Sequence, residues 1–520
     1  MSRLNLIRSA SVVMAGFVAA NLLGLLRQVI INRAFGASAE LDTYFAAFRV
    51  PDLLFNVLAG GALGSAFIPL FTGFLETDKA KAWRLASAVI NNLLLALCAA
   101  AGIAALLAPL LVRFVLAPGF EPEQQLLTAN LMRVMLISTI IFGASGLLMG
   151  VHNAHQHFLA PAVAPIVYNL GIVGGALAAG RFGIFALGWG VVAGAALHLM
   201  VQLPALIRHQ PSYTAMLDLR NESVRQVGRL MLPRMFGLAV WQINFWVNTA
   251  VASTLPSGSL SGLTIGFQIF TFPQAAIAQA IATAVFPTLS AQAARGEKDS
   301  LRGTLAQAIN LTLFLAMPAT LGLILLGKPI IALMFEGGEF DSRSTELAAW
   351  ALTWYGLGLI AHSVVEVITR AFFALKDTQT PVRVGAGAMI LNVALSLILT
   401  RAFAAFGWMP HGGLALANTL ATAVEMIALV LILRGRLNGL EARTMIGSGW
   451  RSALAAAGMG LALIGWVQIA APRWIAGLGG AAVGAGIFFL LARVLRSPEL
   501  GLLRRSKQIG EGKLKAGEGG

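Results

Sequence analysis

Five arginines stand inside otherwise apolar stretches of this 520-residue sequence: Arg27, Arg49, Arg133, Arg234 and Arg370. A charge at the centre of a bilayer costs about 2.5–3.5 kcal/mol on insertion scales, so each calls for a reason. A guanidinium held there can pair bidentately with a phosphate or carboxylate. Arg27 lies six residues before Arg33, about 9 Å inside the end of its segment at 1.5 Å per residue. It either binds an anionic headgroup in an internal cavity or snorkels to the interface. Arg49 and Asp52 are three apart at a proline break and can neutralise each other. Arg234 follows Pro233 at the start of its segment and reads as an interface anchor or a cavity cation. Glu366 and Arg370 are four apart, a self-satisfying helical pair. Glu425 has no local partner; it reads as a proton or cation site, or as half of a pair across helices. The segment holding Asn244 and Asn248 has no carboxylate, so a sodium site there would use those two amides and carbonyl oxygens.

Other chemistry is excluded. His152, His155 and His157 are spaced for a metal, but no acid or cysteine accompanies them, so a solvated loop and no metal site is the expectation. One cysteine, Cys98, permits neither an intramolecular disulfide nor a cysteine metal cluster. There is no phosphate-binding loop of the Walker type, no HExxH and no GxSxG. No nucleophile is paired with a base, so the chain reads as a non-enzyme without cofactors. Any transport must draw on an ion gradient, the membrane potential or the substrate's own gradient.

The elements that position these residues follow from composition. Hydrophobic residues make up 58% and charged residues 11%, with a mean hydropathy of +0.79. A soluble domain carries about 25% charged residues, so the class is an all-α polytopic membrane protein. Fourteen segments can span: 9–32, 43–75, 85–112, 126–151, 160–180, 182–207, 230–253, 262–293, 304–327, 345–373, 382–406, 412–433, 446–471 and 474–495. The second and eighth are too long for one span and hold Pro51 and Pro69, and Pro273 and Pro287. Broken, gating helices are expected there. Fourteen spans place 25 of the 37 basic residues on the side of the termini and seven on the other side. The positive-inside rule then puts both termini in the cytoplasm. The net charge of +15 therefore points to anionic lipid rather than nucleic acid, above all at the tail with Arg504, Arg505, Lys507, Lys513 and Lys515.

An internal repeat organises the spans. Pro109, Phe120 and Pro161 recur as Pro329, Phe340 and Pro381, each 220 residues on. The expected division is a six-helix lobe over 1–219, a second over 220–439, two further helices over 440–497 and a basic tail over 498–520. An even number of spans per copy gives a parallel repeat, with a substrate site expected between the lobes.

Over nearly its whole length the chain resembles the MurJ/MviN family of lipid II flippases, in the multidrug/oligosaccharidyl-lipid/polysaccharide exporter superfamily. The resemblance rests on Gly24, Arg27, Arg33 with Phe35-Gly36-Ala37, Asp42, Phe48-Arg49-Val50-Pro51, Gly61-Ala62 to Ile68-Pro69, Ala117-Pro118-Gly119-Phe120, Gln202-Leu203-Pro204, Phe272-Pro273, Phe286-Pro287, and Asp377-Thr378 with Thr380-Pro381. It implies a flippase moving the undecaprenyl-diphosphate-linked peptidoglycan precursor from the inner to the outer leaflet by alternating access. It also implies a monomer in the bacterial inner membrane, with cell-wall synthesis enzymes as partners. Arginines of the first, second and eighth segments would line the cavity. Here only Arg27 matches. Family arginine positions fall at Asn21, Phe55 and Gln268, and family acidic positions at Gln28 and Gly60. Arg49, Arg234 or Arg370 would replace the missing cations, or the substrate is another polyprenyl-linked glycan. A drug antiporter and a non-transporting scaffold complete the alternatives.

Overall fold

The computed structural model describes residues 3–501 except 60, 219 and 470–471. The expected tail beyond 501 lies outside the described residues. The described residues form helices joined by turns and short connections, with no strand among them.

Contacts divide the chain into two compact units. The first runs to Ser261 and includes Gly337–Asp341; the second holds Gly262–Glu336 and everything after Asp341. The first unit contains α1 (Arg3–Phe35), α2 (Ala39–Leu54), α3 (Gly61–Thr77), α4 (Lys79–Leu106), α5 (Pro122–Ala154), α6 (Leu159–Phe182), α7 (Ile184–Met200) and α8 (Glu222–Ser253). The second contains most of α9 (Ser259–Gln274), then α10 (Ala280–Ala294), α11 (Lys298–Phe335), α12 (Ser342–Leu357), α13 (Leu359–Ala374), α14 (Gln379–Ala405), α15 (His411–Arg436), α16 (Ala442–Ile469) and α17 (Gly480–Val494). Packing thus groups α8 with the first unit, whereas the sequence repeat places a boundary at 219/220. The reason lies in the polar bonds that α8 makes to α2, described below.

Every expected span has a helical counterpart. Eleven described helices are long and apolar enough to cross a membrane, and α12–α13, bent by 48°, supplies a twelfth. The other two fall on α2–α3 and on α8. The repeat is visible in the boundaries themselves. Ala39, Pro122 and Leu159 open helices, and so do Ser259, Ser342 and Gln379, each 220 residues on. The expected breaks take the form of π turns at the same offset, Phe55–Ala59 and Ala275–Gln279. Pro51 and Pro273 stand in the helical turn just before each. A proline offers no N–H to the carbonyl four residues back and crowds it, so each helix has lost a ladder bond on the N-terminal side of its π turn. Pro69 and Pro287 lie inside α3 and α10.

Local chemistry starts the helices. Ser38, Asp78 and Asn221 accept from backbone N–H groups in the first turns of α2, α4 and α8, each cap contributing about 1 kcal/mol. Small residues set the closest crossing: Gly171 and Gly175 on α6 face Gly194 and Gly190 on α7, where a Cβ would strike the opposite backbone. Two corners recur by symmetry in the first unit. Gly119 N–H donates to Ser253 Oγ at 3.1 Å, and Glu339 N–H donates to the Arg33 carbonyl at 2.8 Å. The second corner explains why Gly337–Asp341 packs with the first unit. Asp42, buried, accepts from Gly258 N–H at 2.8 Å, Ser261 N–H at 2.7 Å and Ser261 Oγ at 2.6 Å. It pins the α8–α9 connection to the start of α2.

Candidate functional site

The first unit holds a polar cluster at the depth of its spans. Arg27 on α1 is half-buried and donates from Nη1 to Asn169 Oδ1 on α6 at 2.9 Å. Asn169 is itself oriented, its Nδ2 donating to the carbonyls of Pro165 and Ala20. Arg27 Nε is buried with no hydrogen-bond partner, and among the described residues no carboxylate pairs with this guanidinium. Arg49 on α2 donates from Nε to Thr249 Oγ1 on α8 at 2.8 Å, and its guanidinium lies 5.3 Å from the centre of the Phe245 ring. Asp52 accepts from Gln242 Nε2 on α8 at 3.0 Å and from Asn56 Nδ2 at 2.9 Å. Gln242, Phe245 and Thr249 follow the i, i+3, i+7 spacing of one helical face. That face holds α8 against α2. Tyr44, buried, and Tyr168, half-buried, stand in the field of Arg27.

Asn244 and Asn248 occupy a different face of α8, and the Oδ1 of each is buried without a partner. Asn21 is exposed and returns its amide to the Phe17 carbonyl at 2.8 Å. The side chain of Arg234 lies outside the described residues. The structure therefore gathers Arg27, Arg49 and Asp52 with their partners, and separates Asn21 from them.

In the second unit, Gln268 on α9 has a buried Oε1 with no partner. Arg370 pairs with Glu366 at 2.9 Å on α13, as the spacing predicts. One turn earlier, His362 Nε2 meets Asn418 Oδ1 on α15 at 3.0 Å. Glu425, farther along α15, is half-buried and makes no hydrogen bond or ion pair among the described residues; its carboxylate faces the backbone of Gly385.

The histidines depart from expectation. His152 is fully buried, not solvated, and His209, far along the chain, joins the group with its ring 4.0 Å from that of His155. Among the described residues no set of His, Cys, Asp and Glu is arranged to hold a metal ion. Sequence reasoning also missed Asn169, Gln242 and Thr249. Their signal was a polar side chain in an apolar segment, but spacing does not say which helix each one faces.

The arrangement offers cations held by neutral amides and hydroxyls, the chemistry of an anion site. Comparison with known proteins bears on which anion. The model of the family described as lipid II flippase MurJ matches residues 31–479. The chain is 29% identical to the lipid II flippase MurJ of Burkholderia cenocepacia over 445 residues, covering 83% of this chain and 84% of that one. It is 28% identical to the probable lipid II flippase MurJ of Bdellovibrio bacteriovorus over 520 residues, covering 97% and 98%. Among solved structures, a lipid II flippase MurJ in an inward closed conformation superposes with a TM-score of 0.79 at 24% identity, covering 94% and 99%. An inward-facing multidrug transporter of the MATE family gives 0.66 at 15% identity, covering 81% and 94%. These two likenesses speak for the fold. The family pattern runs through both helical units and their repeat, and the chain is a multi-pass membrane protein of the lipid II flippase MurJ family, transporters and not catalytic enzymes.

Proposed function

We infer that this chain moves lipid II, the undecaprenyl-diphosphate-linked peptidoglycan precursor, from the inner to the outer leaflet of the bacterial inner membrane by alternating access. The observation that carries the site assignment is Arg27. It is a membrane-depth guanidinium positioned by the neutral Asn169, with Nε unused and, among the described residues, no carboxylate paired with it. A diphosphate cannot cross hydrocarbon alone, because stripping its water is prohibitive. A guanidinium returns part of that solvation through charge-assisted hydrogen bonds. Arg49, held over Phe245 by Thr249, adds positive field, and Asp52 is kept in place by Gln242 and Asn56 rather than by either arginine alone. Gln268 and Arg370 are the second unit's own candidates for headgroup contact. The π turns after Pro51 and Pro273 supply the points where helices bend, with Pro69 and Pro287 beyond them. Coupling to an ion uses Glu425, or the Asn244 and Asn248 amides. The protein acts as a monomer with both termini in the cytoplasm, and its basic tail rests on anionic lipid beside the wall-synthesis enzymes.

A second reading has a specific observation behind it. The resemblance implies arginines where this chain has Asn21, Phe55 and Gln268, which favours a headgroup other than lipid II on the same polyprenyl diphosphate. Expression in a bacterium depleted of its own lipid II flippase separates the two. Rescue of growth with normal outer-leaflet precursor supports the first reading. Failure at normal membrane abundance supports the second.

A further inference from the structure

We propose that His152, His155, His157 and His209 form a proton-operated latch that holds the segment before α8 onto the first unit. The four rings come from the end of α5, the turn that follows it, and the chain beyond α7. Their centroids lie 4.0 Å apart for His155–His209, 5.8 Å for His152–His157, 6.0 Å for His157–His209 and 6.1 Å for His152–His209.

The hydrogen bonds fix one proton on each of two rings. A carbonyl can only accept, so His152 Nε2–H donates to Gln202 at 3.0 Å and His155 Nδ1–H donates to Val151 at 2.9 Å. In the neutral form the second nitrogen of His152 carries a lone pair. His152 Nδ1 and His209 Nε2 are buried with no partner. With both nitrogens protonated, His152 and His209 would each hold a buried N–H without an acceptor among the described residues, beside three other imidazoles. The surrounding elements give no relief: α3 contributes Phe71 and α4 contributes Trp83, both packed on the His155 ring. Arg208, the neighbour of His209, is exposed and of the wrong sign to help. Burial first, then His155 and His157, hold the His209 imidazole below its ordinary value.

The sign follows. A histidine whose value is depressed in the folded form favours that form when neutral, so the latch is closed above the ordinary imidazole value near 6.5 and opens as pH falls below it. What it would release is specific. Beyond His209 the chain lies along α4, where Asn91 Nδ2 donates to the carbonyls of Thr214 and Met216, Tyr213 donates to Asn91 Oδ1, and Thr214 N–H donates to Ser87 Oγ. That strap leads directly into α8, the helix that carries Gln242 and Thr249. Cytoplasmic acidification would loosen the entry to α8, whatever headgroup the protein carries.

Hydrogen–deuterium exchange on the full chain in nanodiscs tests this, with rates corrected for intrinsic pH dependence. Between about pH 7.5 and about pH 5.5, on either side of the imidazole value, protection of residues 203–218 should fall about tenfold or more. His209→Gln and His155→Gln should each flatten that response. A wild-type segment equally protected at both pH values overturns the proposal without any variant. A His209→Gln protein that keeps the full response overturns it as well.

Discussion

Replacing Arg27 is the sharpest test of the anion site. One of its five N–H donors is committed to Asn169 and Nε is unused. A bidentate grip on a diphosphate would add two charge-assisted hydrogen bonds, each contributing about 1.5–3 kcal/mol. Half-burial tempers this, so Arg27→Ala should weaken capture by about 3 kcal/mol, roughly 150-fold in apparent affinity. Arg27→Lys keeps the charge and loses the fork, so about tenfold is expected. Asn169→Ala leaves the cation but not its bearing, and loses about 1 kcal/mol, a few-fold. Flipping of a fluorescent polyprenyl-diphosphate precursor in proteoliposomes, below saturation and at matched protein content, reads all three. The predicted order is Ala worst, then Lys, then Asn169→Ala. Wild-type flipping by Arg27→Ala refutes the site assignment. Equal losses in Ala and Lys refute the idea that a point charge retains partial function.

Four further outcomes follow from the same geometry. Asp42→Ala strips the acceptor from three donors at Gly258 and Ser261 and should lower stability by about 3 kcal/mol or more, seen as a depressed Tm in detergent. Gly338→Ala places a side chain at φ +60 with the Arg33 carbonyl in its way and should lose about 1–3 kcal/mol in the same assay. Glu425→Gln should remove the dependence of flipping on the coupling ion; ion dependence left intact would assign Glu425 to packing. Asp377, in the turn before α14, is held down to about 2 from 3.8, first by the Thr380 hydroxyl, then by the Thr380 N–H, and by Arg436. Its contribution is present above the ordinary carboxylate value and lost as pH falls towards the lowered one. Asp377→Asn should therefore lower stability across pH 5 to pH 8, where the contribution is present, and remove the acid limb below about pH 4.

The spans were legible because a bilayer fixes the length of an apolar run, and each expected segment found a helix. The repeat was legible because prolines and glycines mark corners, and the structure repeats its helix starts and π turns at the same offset. The form of the breaks was not: Pro51 and Pro273 signal an open ladder, but nothing in the residues distinguishes a kink from a π turn. The site was half legible. A charge in hydrocarbon announces itself, so Arg27, Arg49 and Asp52 stood out. Their partners did not, since Asn169 and Thr249 are ordinary polar residues until a neighbouring helix turns them inward. The histidines were misread for the same reason: His209 becomes part of the group only through the packing of the chain beyond α7 on the end of α5.

The missing family charges have a consistent pattern. The resemblance implies two cations in the first two segments where Asn21 and Phe55 stand here, and two acids where Gln28 and Gly60 stand. Losing both signs together leaves the local balance of charge where it was. The structure shows what neutral residues do instead at the positions it describes. Gln28 donates to Asn32 at 3.1 Å, Asn21 folds onto its own helix, and Phe55 packs its ring 5.1 Å from that of Phe142. Arg27 is left without the neighbouring acid that would compete with a bound phosphate. A site with fewer charges but an uncompensated one keeps its attraction for an anion, because attraction depends on the net field at the site and not on how many ion pairs surround it. On that argument the sparse cation set and a diphosphate cargo are compatible, and the discriminating contacts for the glycan fall to the neutral residues.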